Sequence, residues 1–226
     1  MSFLSRTERR LAFTLVELLT VMAIIGMLAA IIIPAVSGSR ERGRRAYCQN
    51  NLSQLGRGIM MFADENGERL PPVSLNVTES YWDRAVLPYI GNASNAMACL
   101  SDPLLSGSQT FGNARTYAVN ATPDWGYRVP FGRYGQPTTA LRMSDLDFNK
   151  GDLILAGERV GTDLGNRGYI GWFNYCGLDF QRATLHRNGG NYLMASMAVR
   201  YMETNSPAFN IAEGNRGNLW TVYTAN

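Results

Sequence analysis

The chain contains few of the residues that enzymes and metal proteins most often use. Its 226 residues include three cysteines, one histidine and one lysine, with no Cys-x-x-Cys pair and no Gly-x-Ser-x-Gly elbow. A nucleophilic pair would depend on His186 alone, so we interpret His186 as a hydrogen-bonded structural residue and predict no enzymatic activity. An odd number of cysteines allows at most one intramolecular disulfide.

A zinc site is disfavoured for the same reason. Built from cysteine and histidine, it would need Cys48, Cys99 and Cys176 together with His186, and these four positions are widely spaced. We therefore expect no metal at these residues.

Charge is also scarce, and its distribution is uneven. The sequence is 17% charged and 46% hydrophobic, which excludes a disordered chain, and its 23 glycines follow no period, which excludes a collagen-like one. Residues 1–66 carry eight arginines against five acids, whereas residues 67–226 carry thirteen basic and thirteen acidic residues. We expect no nucleic-acid partner for the neutral second part.

One long apolar run is present near the amino terminus. Phe13 to Ile33 is apolar except for a few positions and, as a helix, would span roughly 31 Å, about the thickness of a bilayer's hydrocarbon core. Glu17 lies inside it, where an unpaired carboxylate costs roughly 3 kcal/mol, so it should have a partner. Arginines flank both ends of the run, so the distribution of charge does not fix its orientation.

The stretch Arg9-Arg10-Leu11-Ala12-Phe13-Thr14-Leu15-Val16-Glu17-Leu18-Leu19 resembles the cleavage and methylation motif of type IV pilins and type II secretion pseudopilins. The resemblance implies that a prepilin peptidase cuts between Ala12 and Phe13 and methylates the new Phe13 amine. The family's usual residue before the cut is Gly, and here it is Ala12. In the family the fifth residue of the mature chain is Glu, which falls on Glu17, and the Pro often found at the twenty-second falls on Pro34.

The same resemblance implies an assembly mechanism and a location. Glu17 of one subunit would pair with the Phe13 amine of a neighbour, which offsets the cost of both charges in an apolar environment. The expected partners are the prepilin peptidase, other copies or related pilins, the inner-membrane assembly platform and membrane lipid. The expected location is a single-pass inner-membrane protein with an exported globular domain, and then a periplasmic or surface filament.

The sequence after the apolar run predicts the rest of a helical spine. We expect Pro34 to break the helix and Gly38 and Gly43 to leave a bent or locally melted segment. Helical spacing of apolar residues then resumes and ends at a stop signal before Gly67; the apolar residues are Cys48, Leu52, Leu55, Ile59 and Phe62. This divides the chain into a leader (1–12), a transmembrane and amphipathic spine helix (13–66) and a globular α+β domain (67–226).

Short alternating stretches predict the strands of that domain. They are Thr116 to Ala121, Leu153 to Ala156, Asn191 to Met202 and Leu219 to Thr224, with a short helix over Trp82 to Ile90. The predicted fold class is α+β: a long N-terminal helix packed on a small antiparallel sheet, as in pilins.

The segments Cys48 to Gly56, Trp82 to Tyr89 and Cys99 to Pro103 resemble those of a large pseudopilin-like group, which also ends in a His-x9-Asp-Gly signature. His186 matches its opening, but Ser196-Met197 stands in place of Asp-Gly, so either the turn is remade or Asn191 to Met202 is one longer strand. The helix stripe puts Cys48 on the packed face, and the resemblance places Cys99 close to it. We therefore favour a Cys48–Cys99 disulfide; the alternatives are a pairing of either residue with Cys176, or three buried, reduced cysteines.

Two further possibilities stay open. Asp145, Asp147, Asn149 and Asp152 could hold calcium, but they fail the EF-hand template, and a solvated acidic turn is favoured. The arginines at positions 40, 42, 44 and 45 could contact anionic lipid or acids of adjacent helices. We predict a structural pilus or pseudopilus subunit; the alternative is a membrane-tethered periplasmic or surface binding module, with carbohydrate as a candidate ligand, that uses a pilin-type leader.

Overall fold

The computed structural model describes residues 14–73, 82–102, 116–120, 130–132, 138, 140–146, 153–158 and 185–204. The chain forms two compact units, Met1–Arg42 and Gly43–Asn226. In the first unit, the described residues from position 15 onward are helical. The second unit contains the rest of that helix and the sheet.

Helix α1 runs from Leu15 to Glu65 and passes through Pro34. The predicted break at Pro34, and a melted segment after it, are therefore wrong; the other form of this expectation, a bent segment, stays a prediction. Proline removes one backbone hydrogen bond, the one that its N–H would donate to the carbonyl of Ala30. Ser37 Oγ donates to Pro34 O at 2.9 Å and Ser39 Oγ donates to Ala35 O at 3.1 Å, which add side-chain bonds within the helix but do not replace the lost one. One lost bond costs less than ending a helix among apolar residues that offer no other partner for its backbone.

The helix ends where the sequence predicts, and the reason is visible. Gly67 has φ of 64°, the left-handed conformation common just after a helix, and Glu68 N donates to Ala63 O at 2.8 Å. This is the longer hydrogen bond of a Schellman motif, which satisfies a carbonyl at the helix end.

The second half of α1 buries one face. The side chains of Cys48, Leu52, Leu55 and Ile59 are fully buried, as the apolar spacing predicts, whereas Phe62 is half-buried. These residues belong to one hydrophobic core with residues of the sheet, among them Val119, Leu155 and Leu193. The predicted short helix is also present, as α2 (Trp82–Val86) followed by a 3-10 turn (Leu87–Ile90).

Within the described residues the sheet has four antiparallel strands, in the order β1 (Tyr117–Val119), β2 (Ile154–Glu158), β3 (Gly189–Met194) and β4 (Val199–Glu203). The α+β fold, a long N-terminal helix with a small antiparallel sheet, is confirmed. The predicted strand over Leu219 to Thr224 lies outside the described residues.

The turn between β3 and β4 is remade rather than lost. Met197 takes the left-handed conformation with φ of 64°, and its N–H donates to Met194 O at 2.9 Å. One of the two alternatives for Asn191 to Met202 is thereby decided: it forms two strands joined by a turn.

Strand register brings Glu158 close to Tyr117 and to Asn191. Glu158 at the end of β2 pairs with Tyr117 of β1, and Gly157 pairs with Tyr192 of β3. Asn191 precedes Tyr192, so its backbone and side chain come near the Glu158 carboxylate at the end of the neighbouring strand.

Candidate functional site

Thr14 and Glu17 form reciprocal hydrogen bonds at the start of α1. Thr14 N and Thr14 Oγ1 both donate to Glu17 Oε2 at 2.9 Å, and Glu17 N donates to Thr14 Oγ1 at 3.3 Å. This reciprocal arrangement is a capping box, in which the side chains at the cap and three residues later satisfy the first backbone N–H groups. The Glu17 side chain is solvent-exposed, and its hydrogen bonds to Thr14 hold it in place.

Apolar side chains follow this turn without any cover in the structure. Leu15 is 81% exposed, Met27 73% and Ile33 68%, and the most apolar 18-residue window of α1 has a mean hydropathy of 2.6 with none of its residues buried. Among the described residues, α1 alone is long and apolar enough to cross a membrane, a statement that rests on length and composition. Such a surface requires lipid or other helices around it.

A second group of functional side chains lies in the buried part of the second unit. Cys48 on α1 and Cys99, in the segment after the 3-10 turn Ser94–Met97, are joined by a disulfide with their Cα atoms 5.3 Å apart. Both residues are fully buried. The pair is the one that the sequence favours.

His186 and Glu158 lie against this disulfide. His186 Nε2 is 3.3 Å from Cys99 Sγ and 3.2 Å from Glu158 Oε1, and both side chains are almost completely buried. His186 is thus a buried, hydrogen-bonded residue just before β3, in line with its structural interpretation.

Neighbouring polar groups fix the orientation of this pair. Asn191 donates twice to the Glu158 carboxylate, from its backbone N and from Nδ2, each at 2.8 Å. Gln49 Nε2 donates to Asn191 Oδ1 at 3.1 Å, and Tyr201 Oη donates to the His186 carbonyl at 3.0 Å. The pair is therefore embedded in hydrogen bonds, which a buried carboxylate requires.

The negative charge of Glu158 also acts on a buried tyrosine. Burial, and secondarily the charge of Glu158, raise the pKa of Tyr117 well above its usual value of 10.0. The phenol stays protonated, and Tyr117 Oη donates to the carbonyl of Cys48 at 3.2 Å.

Arg45, one of the arginines at positions 40, 42, 44 and 45, contacts a residue of this hydrogen-bonded region, Tyr201. The guanidinium of Arg45 lies over the ring of Tyr201, 4.5 Å from its centre, a cation–π contact.

Several sequence-predicted site residues lie outside the described residues. They are Ala12 and Phe13 at the cleavage site, Cys176, and three of the four candidate calcium ligands, Asp147, Asn149 and Asp152. The fourth, Asp145, accepts a hydrogen bond from Arg142 N at 3.2 Å at the start of a short 3-10 turn. The calcium hypothesis stays a prediction.

Two features of the site were not predicted from the sequence. Thr14-x-x-Glu17 matches the general capping-box pattern and could have been recognised. Glu158 had no local signal, because it becomes a neighbour of His186 and Cys99 only through strand pairing. A search for zinc ligands restricted to cysteine and histidine therefore overlooked it.

Comparison with protein families agrees with this picture. Residues 9–33 match the prokaryotic N-terminal methylation motif, and residues 38–97 match a family described as a protein of unknown function (DUF1559). No curated protein and no solved structure matches the chain.

These two matches, together with the long apolar helix, are consistent with a protein similar to type IV pilins and pseudopilins. The motif implies processing by prepilin peptidase and pilin-type assembly. The apolar helix and the motif suit a membrane-anchored, exported protein, and the motif and fold suggest a structural protein rather than an enzyme.

Proposed function

We propose that the chain is a structural subunit of a type IV pilus or a type II secretion pseudopilus. Prepilin peptidase cuts between Ala12 and Phe13 and methylates the Phe13 amine, and the mature chain assembles through α1. The observation that carries the proposal is the methylation motif at residues 9–33, placed at the start of a helix whose apolar side chains are exposed.

The capping box supports a specific role for Glu17. In the single subunit its carboxylate is occupied by Thr14 at 2.9 Å. In a filament the same carboxylate, at the amino end of a helix, accepts a hydrogen bond from the cationic Phe13 amine of the next subunit. Among apolar helices an unpaired amine of this kind is costly. The pairing offsets the cost of both charges.

The processing step is tested with the full-length chain in membranes that contain active prepilin peptidase. Mass spectrometry should find a mature chain that begins at N-methylated Phe13. Ala12→Gly, which restores the family's usual residue, should be cut at least as fast, whereas the bulky substitution Ala12→Leu should block cutting. An intact leader in the wild-type protein would contradict the proposal.

Assembly is tested separately from processing. Filaments sheared from cells that express the chain with its own assembly system should contain the mature protein. If the processed chain stays in the membrane fraction, and its body instead binds a ligand such as a polysaccharide, the tethered-module alternative replaces the filament role.

A further inference from the structure

Four side chains that commonly ligate transition metals meet in the buried part of the second unit. They come from separate elements: Cys48 from α1, Cys99 from the segment after α2, Glu158 from β2 and His186 from the turn before β3. One ligand atom from each lies within 4.8 Å of every other, and all four residues are buried. We call these four residues the buried ligand cluster.

Two distances in the buried ligand cluster are close to those of a tetrahedral metal site. With metal–sulphur bonds of about 2.3 Å and metal–nitrogen or metal–oxygen bonds of about 2.0–2.2 Å, neighbouring ligand atoms of a tetrahedron are about 3.3–3.8 Å apart. His186 Nε2 lies 3.3 Å from Cys99 Sγ and 3.2 Å from Glu158 Oε1. The two sulphurs are closer than a metal site needs, because the disulfide joins them.

The surroundings also have the character of a metal site. Ligating carboxylates are normally held by further hydrogen bonds, and Asn191 holds Glu158 through two of 2.8 Å. Two thiolates and one carboxylate carry three negative charges, and a divalent cation reduces the net charge of the buried ligand cluster to about −1. Two thiolates, an imidazole and a carboxylate favour zinc or a similar ion over calcium or magnesium.

We propose that the reduced protein binds one Zn²⁺ ion, or a chemically similar divalent ion, through Cys48, Cys99, His186 and Glu158. The disulfide and the metal are alternative states of one site. Reduction of the disulfide adds two electrons and two protons and gives two thiols. Metal binding then releases the thiol protons, and α1 stays joined to the Cys99 segment through the ion instead of through the sulphur–sulphur bond.

The test uses the full-length chain in mild detergent and Co²⁺ as a spectroscopic probe. One sample is left oxidised. The other is reduced by a phosphine, which becomes the phosphine oxide by taking oxygen from water, and is then titrated anaerobically after removal of metal by a chelator. The reduced protein should bind one equivalent of Co²⁺, with a sulphur-to-cobalt charge-transfer band and the visible bands of tetrahedral cobalt. Zn²⁺ should displace it, and the oxidised protein should show neither band.

Variants identify the ligands. Cys48→Ser and Cys99→Ser should each abolish the tetrahedral spectrum, and Cys176→Ser, the matched control, should retain it. Asn191→Ala, which removes a side chain that orients Glu158, should weaken Co²⁺ binding about 10- to 100-fold. Glu158→Gln should weaken binding and alter the visible bands. Because Asn191→Ala and Glu158→Gln keep both cysteines, formation of their disulfide before reduction reports that they have folded.

Three results would overturn the proposal. The first is a reduced wild-type protein that lacks the charge-transfer band. The second is a band that persists in Cys48→Ser or disappears in Cys176→Ser. The third is equal cobalt binding by the oxidised and reduced protein.

Discussion

At the residue scale, Glu17 contributes both a hydrogen-bond acceptor and a negative charge. Glutamine preserves much of the first and removes the second, because Gln also serves in a capping box, whereas alanine removes both. We predict that Glu17→Gln and Glu17→Ala are both cut normally and both fail to enter filaments. An unpaired terminal amine costs about 3 kcal/mol or more, which corresponds to a loss of about a hundredfold in incorporation.

Thr14→Ala is the matched control for this prediction. It removes the hydroxyl that caps the helix, at a cost of about 1 kcal/mol, but keeps the charge of Glu17. Quantitative immunoblotting of sheared filaments should find Thr14→Ala incorporated far better than either Glu17 variant. If Glu17→Gln assembles like wild type, the carboxylate acts only as a helix cap.

The Cys48–Cys99 disulfide makes a separate prediction about stability. It joins residues separated by 51 positions, and by the chain-entropy model such a closure stabilises the folded state by about 4 kcal/mol. The double substitution Cys48→Ala with Cys99→Ala should lower the free energy of unfolding by that amount, measured by urea denaturation of the detergent-solubilised chain with a chelator present. Cys176→Ala should have little effect. Peptide mapping without reduction should show Cys48 linked to Cys99; a Cys99–Cys176 link would contradict the pairing.

Tyr117 predicts how stability depends on pH. Its pKa is raised in the folded state by burial and by Glu158, so the unfolded chain loses the phenolic proton at a lower pH than the folded chain does. The unfolded state then binds fewer protons, and the free energy of unfolding falls as pH rises above about 10. Tyr117→Phe cannot ionise there, so its urea midpoint should fall less between pH of about 9 and about 11 than that of wild type. Parallel curves would show that Tyr117 does not contribute.

At the scale of elements, two glycines of α1 differ in their surroundings. A Cβ atom at Gly58 would lie 2.7 Å from both Val86 and Ile90, whereas one at Gly43 would contact nothing within 4 Å. Alanine is the better helix former by about 1 kcal/mol. We predict that Gly43→Ala raises the free energy of unfolding by up to about 1 kcal/mol, while overpacking makes Gly58→Ala lower it by about 1 kcal/mol.

Thermal unfolding monitored by circular dichroism compares the two alanine variants directly. The opposite signs are the decisive result, since both substitutions make the same change in the same helix. A stabilised Gly58→Ala would mean that α2 shifts away from α1 at little cost.

The elements themselves were largely predictable, for local reasons. Apolar spacing along α1 identified Cys48, Leu52, Leu55 and Ile59 as its buried face because helical periodicity is set within a few residues. The break predicted at Pro34 is wrong because the loss of one backbone hydrogen bond costs less than ending a helix among apolar residues that offer its backbone no other partner. The sequence does not decide between a turn and one longer strand at Met197, because the Asp-Gly signal is absent. In the structure Met197 adopts the left-handed conformation and forms the turn.

At the scale of the whole molecule, the buried ligand cluster could not be predicted from the sequence. Cys99, Glu158 and His186 are far apart in the chain and meet only when β2 pairs with β3 and both pack with α1. The amino-terminal motif was predictable because its residues form one short stretch of the sequence, residues 9–33.

The disulfide also determines how the chain would carry mechanical tension. If force is applied along α1, the disulfide transmits it directly from Cys48 to Cys99. The residues between these two positions then carry no load. If that loop were released and drawn out fully, the separation of 51 positions would add about 170 Å of contour length. An oxidised chain under load therefore withholds this length, and a reduced, metal-free one can give it up.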